Sequence, residues 1–200
     1  MYKKAEMGVG TLIVFIAMLL VAAIAAGVLI QTVGSLQEKS LATGQQAKTQ
    51  ISTNVDTIEV SATDGRNSKL TEFEQRMKLS SGSDPIKLAE VIITLTTHNS
   101  SLILKYSNNT LCQRNKTHGY SVNETTNEGV FTVIYEQEGS NHVPGNLQRG
   151  DGIRICYGVA ESVGPDELIR INFIPKTGSS IPREFITPTV ISTQRVYLYP

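Results

Sequence analysis

The chain of 200 residues has no tryptophan, two cysteines, three histidines and no net formal charge, and each shortage removes a class of function. Eighteen Lys and Arg balance eighteen Asp and Glu, so no global field recruits nucleic acid or an anionic surface. Cys112 and Cys156 stand far apart and form no C-x-x-C spacing, which argues against a zinc ribbon or a thioredoxin-type centre. They form either a Cys112–Cys156 disulfide or two buried free thiols, and spacing alone does not choose. His98, His118 and His142 are scattered without a fixed carboxylate spacing. The chain also lacks a Walker A run, an H-E-x-x-H helix and a G-x-S-x-G elbow. Gly8-Val9-Gly10 has no third glycine and no strand before it, so it is not a dinucleotide fingerprint. Asp64, Asp84 and Asp151 sit in glycine- or proline-containing turns, but no EF-hand-like run surrounds them. No catalytic residue, metal site or cofactor is expected. Arg149-Gly150-Asp151, within a turn of sequence LQRGDG, is a chance tripeptide between two strands.

What the chain does have is Leu12 to Ile30, LIVFIAMLLVAAIAAGVLI, in which no side chain is charged or hydrogen-bonding. As a helix it runs roughly 28 Å, close to the thickness of a bilayer's hydrocarbon. Thirteen of its side chains are Leu, Ile, Val, Phe or Met. At the usual worth of a buried side chain, full exposure forgoes about 20 to 40 kcal/mol. The helix therefore belongs in lipid, in a protein core, or against copies of itself. Lys3 and Lys4 precede the run and the mixed pair Glu38 and Lys39 follows it, which places the N-terminus in the cytoplasm and the rest outside.

Small residues recur within the run at helical spacing, Ala22 with Ala26 and Ala23 with Gly27. Such faces let helix backbones approach closely. The pattern then continues through polar sequence as Val33, Leu36, Ser40, Gly44, Ala47 and Ile51, a packing stripe that a simple anchor does not need. This continuation also speaks against a secretory signal cleaved in the Ala22 to Gly27 region.

Beyond residue 55 the period changes to two. Alternation appears in Val91, Ile93, Leu95; in Leu102, Leu104, Tyr106; in Phe131, Val133, Tyr135; in Ile153, Ile155, Tyr157; in Ile169, Ile171, Phe173; and from Val190 to Tyr199. Ile58 to Ala62 and Phe73 to Leu79 are further strand candidates, each ending in a turn-forming cluster. About eight short strands without helical period predict an antiparallel, immunoglobulin-like sandwich, so the fold class is α+β. Without tryptophan, no antibody-type core signature accompanies it.

Four N-x-S/T triplets, at Asn99, Asn108, Asn115 and Asn123, crowd into twenty-five residues of polar, turn-rich sequence. Glycosylation there requires an extracellular, solvent-facing loop.

The segment Met7 to Leu36, above all Gly8-Val9-Gly10-Thr11-Leu12-Ile13-Val14-Phe15-Ile16-Ala17-Met18, resembles the N-terminal helix of archaellins, the filament subunits of the archaeal flagellum. Leu41, Thr43, Gly44 and Val55 fit as well, and the similarity is looser beyond. The resemblance implies a basic leader, residues 1–5, cut between Ala5 and Glu6 by a prepilin-peptidase-like enzyme that reads Lys3, Lys4 and Gly8. It implies a filament-core helix over residues 6–55 and an outer β-sandwich over residues 56–200. It also implies partners: copies of the chain or related archaellins in a helical polymer, and a membrane assembly machinery that receives the precursor. The expected final location is the extracellular flagellar filament.

Two other functions share this architecture. An archaeal type IV adhesion pilin is one, although the early helix position that holds Glu in bacterial-type pilins lies here in Gly10-Thr11-Leu12. The other is a single-pass, membrane-anchored extracellular binding domain, which would stay uncleaved in the membrane fraction.

Overall fold

The computed structural model describes residues 2–108, 122–123 and 128–200. Helix α1 runs Tyr2–Ser52 without a break. The sequence explains its length: no proline occurs before Pro85, and the charge-free stretch is rich in Ala and Leu. The helix closes with the Thr53 N–H bonding to Thr49 O at 3.0 Å, after which Asn54 turns its side-chain oxygen to the Val55 N–H. Residues 1–48 form one compact unit and residues 49–200 a second.

The second unit is a β domain. Its strands are β1 (Val55–Ala62), β2 (Leu70–Leu79), β3 (Ile86–Lys87), β4 (Val91–Thr96), β5 (Ser101–Tyr106), β6 (Val122–Asn123), β7 (Glu128–Gln137), β8 (Asn146–Leu147), β9 (Gly152–Val163), β10 (Leu168–Pro175), β11 (Ile181–Ile186) and β12 (Val196–Tyr199). One continuous sheet takes them in the order β11-β10-β4-β5-β7-β9-β2-β1-β12, with β6 beside β7, while β3 and β8 pair separately. The sheet curls until one face encloses a single core. That core draws Phe73 and Met77 from β2, Leu95 from β4, Leu104 from β5, Phe131 from β7, Tyr157 from β9 and Phe173 from β10, all fully buried. The Phe73 and Tyr157 rings stack across adjacent strands with centroids 6.0 Å apart.

The long helix followed by a β-rich domain is the architecture predicted, with some differences in detail. The strands make one curled sheet instead of two separate layers. One pair, β5 with β7, is parallel, in register from Ile103 and Glu128 to Tyr106 and Phe131. Parallel neighbours need a long crossover, and residues 107–127 supply it, mostly outside the described residues. Strand β11 went unread because Pro182 interrupts it; Pro is tolerated there because β11 lies at the sheet edge. The expected strand from Val190 to Tyr199 is shorter, Val196–Tyr199, after an irregular segment that contains Pro188.

Candidate assembly helix and outer surface

The apolar run of α1 has no polar side. From Val9 to Ile30 its large side chains are exposed all round, Met18 at 70%, Ile24 at 68% and Ile30 at 74%. A helix apolar on every face is one that is surrounded. By length and composition it is able to cross a membrane. Ala22, Ala23, Ala26 and Gly27 are exposed along it, and a Cβ built on Gly27 meets nothing within 4 Å. Among the described residues, then, nothing requires Gly27 to be small.

Four hydroxyl groups along the helix are turned back onto its own backbone. Thr11 donates to Gly8 O at 3.0 Å, Thr32 to Leu29 O at 2.9 Å, Ser35 to Thr32 O at 2.9 Å and Thr43 to Lys39 O at 2.9 Å. A hydroxyl closed onto its own helix presents little desolvation cost to a neighbour or to lipid. Lys3, Lys4, Ala5 and Glu6 fall within the first turns of α1, and Gly8 follows with open space around it.

On the β domain, the sequon residues separate. Asn99 is exposed in the turn between β4 and β5, where the Thr97 N–H bonds to Ser100 O at 2.8 Å. Asn108 is exposed two residues beyond β5 and its Oδ1 accepts the Tyr106 hydroxyl at 3.4 Å. Asn123 lies in β6, and Asn115 falls outside the described residues. Cys156 is buried in β9 and disulfide-bonded; Cys112 also falls outside the described residues.

The outward face of β1, β2, β7 and β9 carries a feature that sequence reading missed. Six alternating charges close into a ring. Glu59 Oε2 meets Arg76 Nη1 at 3.2 Å, Arg76 Nε meets Glu136 Oε2 at 3.2 Å, and Glu136 Oε1 meets Arg154 Nη2 at 2.7 Å. Arg154 Nη1 then meets Glu74 Oε1 at 3.5 Å, Glu74 Oε2 meets Arg195 Nη2 at 2.8 Å, and Arg195 Nη1 returns to Glu59 Oε1 at 3.8 Å. Every member faces two of opposite sign, so the ring is neutral and offers no free acid or base. The signal available in sequence was only the charged alternation Glu72, Glu74, Arg76, Lys78 along one face of β2.

A second polar corner lies between β7 and β9. The Asp151 carboxylate is buried, accepting the Gly139 N–H at 2.7 Å and the Gln148 N–H at 2.9 Å, with His142 Nδ1 at 3.4 Å. Gly139 has to be glycine, since a Cβ would stand 2.6 Å from Arg149 O. The buried aspartate also means that Arg149-Gly150-Asp151 presents no carboxylate to a partner. The Tyr135 ring packs edge-on against His142, its hydroxyl donates to Asn146 O at 2.8 Å, and burial raises its pKa above the ordinary tyrosine value. Among the described residues, no group of three His, Cys, Asp or Glu is placed to hold a metal.

The geometry therefore combines an exposed apolar helix with a β domain that pairs charged side chains in the ring. A family model described as archaeal-type flagellin matches residues 5–185. The chain belongs to the archaeal-type flagellin family. Flagellin B2 of Methanocaldococcus jannaschii is 32% identical over 208 residues, covering 97% of this chain and 94% of that one. Flagellin B1 of Thermoplasma volcanium is 45% identical over 109 residues, covering 52% of this flagellin and 44% of its relative. In fold, this flagellin is similar to the subunit in the structure of the archaeal flagellum of Methanospirillum hungatei strain JF1. The TM-score is 0.68 at 15% identity, with 96% and 99% of the two chains covered.

Proposed function

We propose that this flagellin is a structural subunit of the archaeal flagellum filament, not an enzyme, and that it polymerises through α1. The observation that carries the reading is an all-round apolar, solvent-exposed helix on a chain of the archaeal-type flagellin family. Burial of Leu12 to Ile30 is worth about 20 to 40 kcal/mol. Measured against water, that exceeds the roughly 4 to 15 kcal/mol of freedom lost on association, so the helix leaves lipid only for another apolar surrounding. Contacts that do not close into a ring propagate as an open helical polymer.

The precursor first holds the same helix in the cytoplasmic membrane, with Lys3 and Lys4 inside. A prepilin-peptidase-like enzyme removes residues 1–5 between Ala5 and Glu6, reading Lys3, Lys4 and Gly8. Transfer from lipid to filament exchanges one apolar surrounding for another, so the burial term nearly cancels. Close packing then decides the outcome. Ala22, Ala23, Ala26 and Gly27 supply it, and the inward hydroxyls keep it dry. The partners are copies of this chain or related flagellins, with no nucleic acid involved. Outside the cell, exposed Asn99 and Asn108, together with Asn115 and Asn123, accept glycans, and Cys112 pairs with Cys156 in an oxidising surrounding.

The test is to shear surface filaments from cells, image them, and measure the intact mass and N-terminal sequence of the subunit. Sheared filaments with a subunit that begins at Glu6 support the reading. A chain that keeps Met1 and stays in the membrane fraction overturns it.

A further inference from the structure

From Met7 to Asn54 the chain carries three charged side chains, Glu38, Lys39 and Lys48. All three are exposed on α1. Among the described residues the ion pairs lie within the β domain, between Glu59 and Arg195, and none takes in these three. Glu38 and Lys39 do not satisfy each other, because successive positions on a helix face different ways. The helix is unbroken over this stretch, so the separations along it are fixed. At about 1.5 Å per residue, Lys39 stands about 1.5 Å from the level of Glu38, and Lys48 about 15 Å. Around the helix, at about 100° per residue, Lys48 borders the stripe of Val33, Leu36, Ser40 and Gly44, and Glu38 lies about 80° further round, on the back.

In a parallel array of this helix, each unpaired charge meets the opposite sign on another copy. Two pairings are available to Glu38. Pairing with Lys39 brings neighbouring helices almost level, and level neighbours related by one repeated rotation close into a ring. Pairing with Lys48 displaces the neighbour by about 15 Å along the helix axis. A displacement of that kind leaves the polymer open. Because Glu38 and Lys48 lie on different faces, their contact is heterologous. Each copy then offers its Lys48 side to one neighbour and its Glu38 side to another, and the contact propagates.

We propose that an ion pair between Glu38 of one copy and Lys48 of the next sets the axial offset between helices in the filament. The proposal rests on the filament reading and adds the register to it. The apolar run from Leu12 to Ile30 supplies attraction without register, since burial of apolar surface is non-directional. Charge pairs along an apolar seam fix alignment and partner more than they add affinity.

Charge reversal in cells that make the full-length chain tests it. Glu38→Lys and Lys48→Glu each set like charges against one another at every contact, and the two changes together restore the pair with its signs exchanged. The expected yield of sheared filaments is about tenfold lower for each single variant and close to wild type for the double variant. Wild-type yields from both single variants, or a double variant no better than the singles, overturn the proposal. Wild-type filaments carry the test where a single variant is lost before assembly. A carbodiimide, which joins a carboxylate to an amine in contact with it, is applied to filaments grown from mixed isotopically light and heavy chains. A mixed-label cross-link between Glu38 and Lys48 is expected, and a mixed-label link from Glu38 to Lys39 in its place overturns the register. A wild-type chain that forms no filaments removes the filament reading and the register with it, whereas wild-type filaments with a failed rescue remove the register alone.

Discussion

The guanidinium carbon of Arg183 lies 5.3 Å from the centroid of the Tyr199 ring. These residues belong to β11 and β12, the two outermost strands of the sheet, which occupy opposite ends of its hydrogen-bonded order. A curled sheet with two free edges invites pairing with another chain. Here the edges approach each other, Pro182 removes one donor from β11, and a cation over a ring bridges the gap. The contact closes the domain without a ladder of backbone bonds.

Replacing Arg183 with Gln removes the cation and keeps most of the stem. The expected loss is about 0.5 to 1 kcal/mol. For a domain of this size the thermal midpoint should fall by about 2 to 4 °C for each kcal/mol lost. Calorimetry on the purified chain in mild detergent reads it. A midpoint unchanged from the wild type would mean that the ring and the guanidinium are neighbours without consequence.

The ion pairs separate by burial and not by length. Arg170 Nε to Glu184 Oε1 is the shorter contact at 2.6 Å, yet those side chains are 58% and 56% exposed. Arg154 and Glu74 are 3.5 Å apart, at 7% and 6%. Exposed pairs are worth about 0 to 1 kcal/mol, whereas breaking a buried one leaves uncompensated charge and costs about 3 to 5 kcal/mol. Denaturant unfolding should therefore show Arg154→Met to be several-fold more damaging than Arg170→Met. The reverse order would show that solvent reaches the ring freely.

Tyr135 sets a limit at high pH. Burial raises its pKa above the ordinary tyrosine value, and the neighbouring carboxylate of Asp151 pushes in the same direction. With the folded value above the unfolded one, its contribution to stability is complete below about pH 10 and is lost as pH rises through the folded pKa. Tyr135→Phe removes this slope and the bond to Asn146 O, costing about 1 kcal/mol at neutral pH. Unfolding midpoints of both forms between pH 8 and 11 on the order of the tyrosine titration range measure the difference, which should narrow toward the alkaline end.

The parts of the molecule that sequence made legible are those whose cause is local. The helix follows from a charge-free run with no proline, and β4, β5 and β10 follow from alternation in Val91 to Leu95, Leu102 to Tyr106 and Ile169 to Phe173. What stayed hidden depends on distant partners. The ring joins Glu59 to Arg195 through four other residues, and no spacing rule spans that separation. Ser83 read as one more polar residue in a turn cluster, because its partners at Ser52 and Asn54 are brought beside it only by the pairing of β1 with β2. Strand β11 was masked by Pro182, whose tolerance depends on being at an edge that only the topology reveals.

Gly27 offers the sharpest separation between folding and assembly. Nothing lies within 4 Å of a Cβ placed there, so Gly27→Leu meets no obstacle among the described residues. Leucine should even favour the helix over glycine by close to 1 kcal/mol. A monomer in detergent is therefore expected to keep its helicity and its β-domain melting temperature. Between chains the same side chain holds backbones apart, on the face where Ala23 and Gly27 lie one helical turn from each other. Gly27→Leu, and Ala23→Leu beside it, should accumulate as processed subunit in the membrane with few or no filaments in the sheared fraction. If both variants yield filaments in wild-type amounts, close packing through this face is not what holds the polymer, and the stripe from Val33 to Ile51 becomes the place to look.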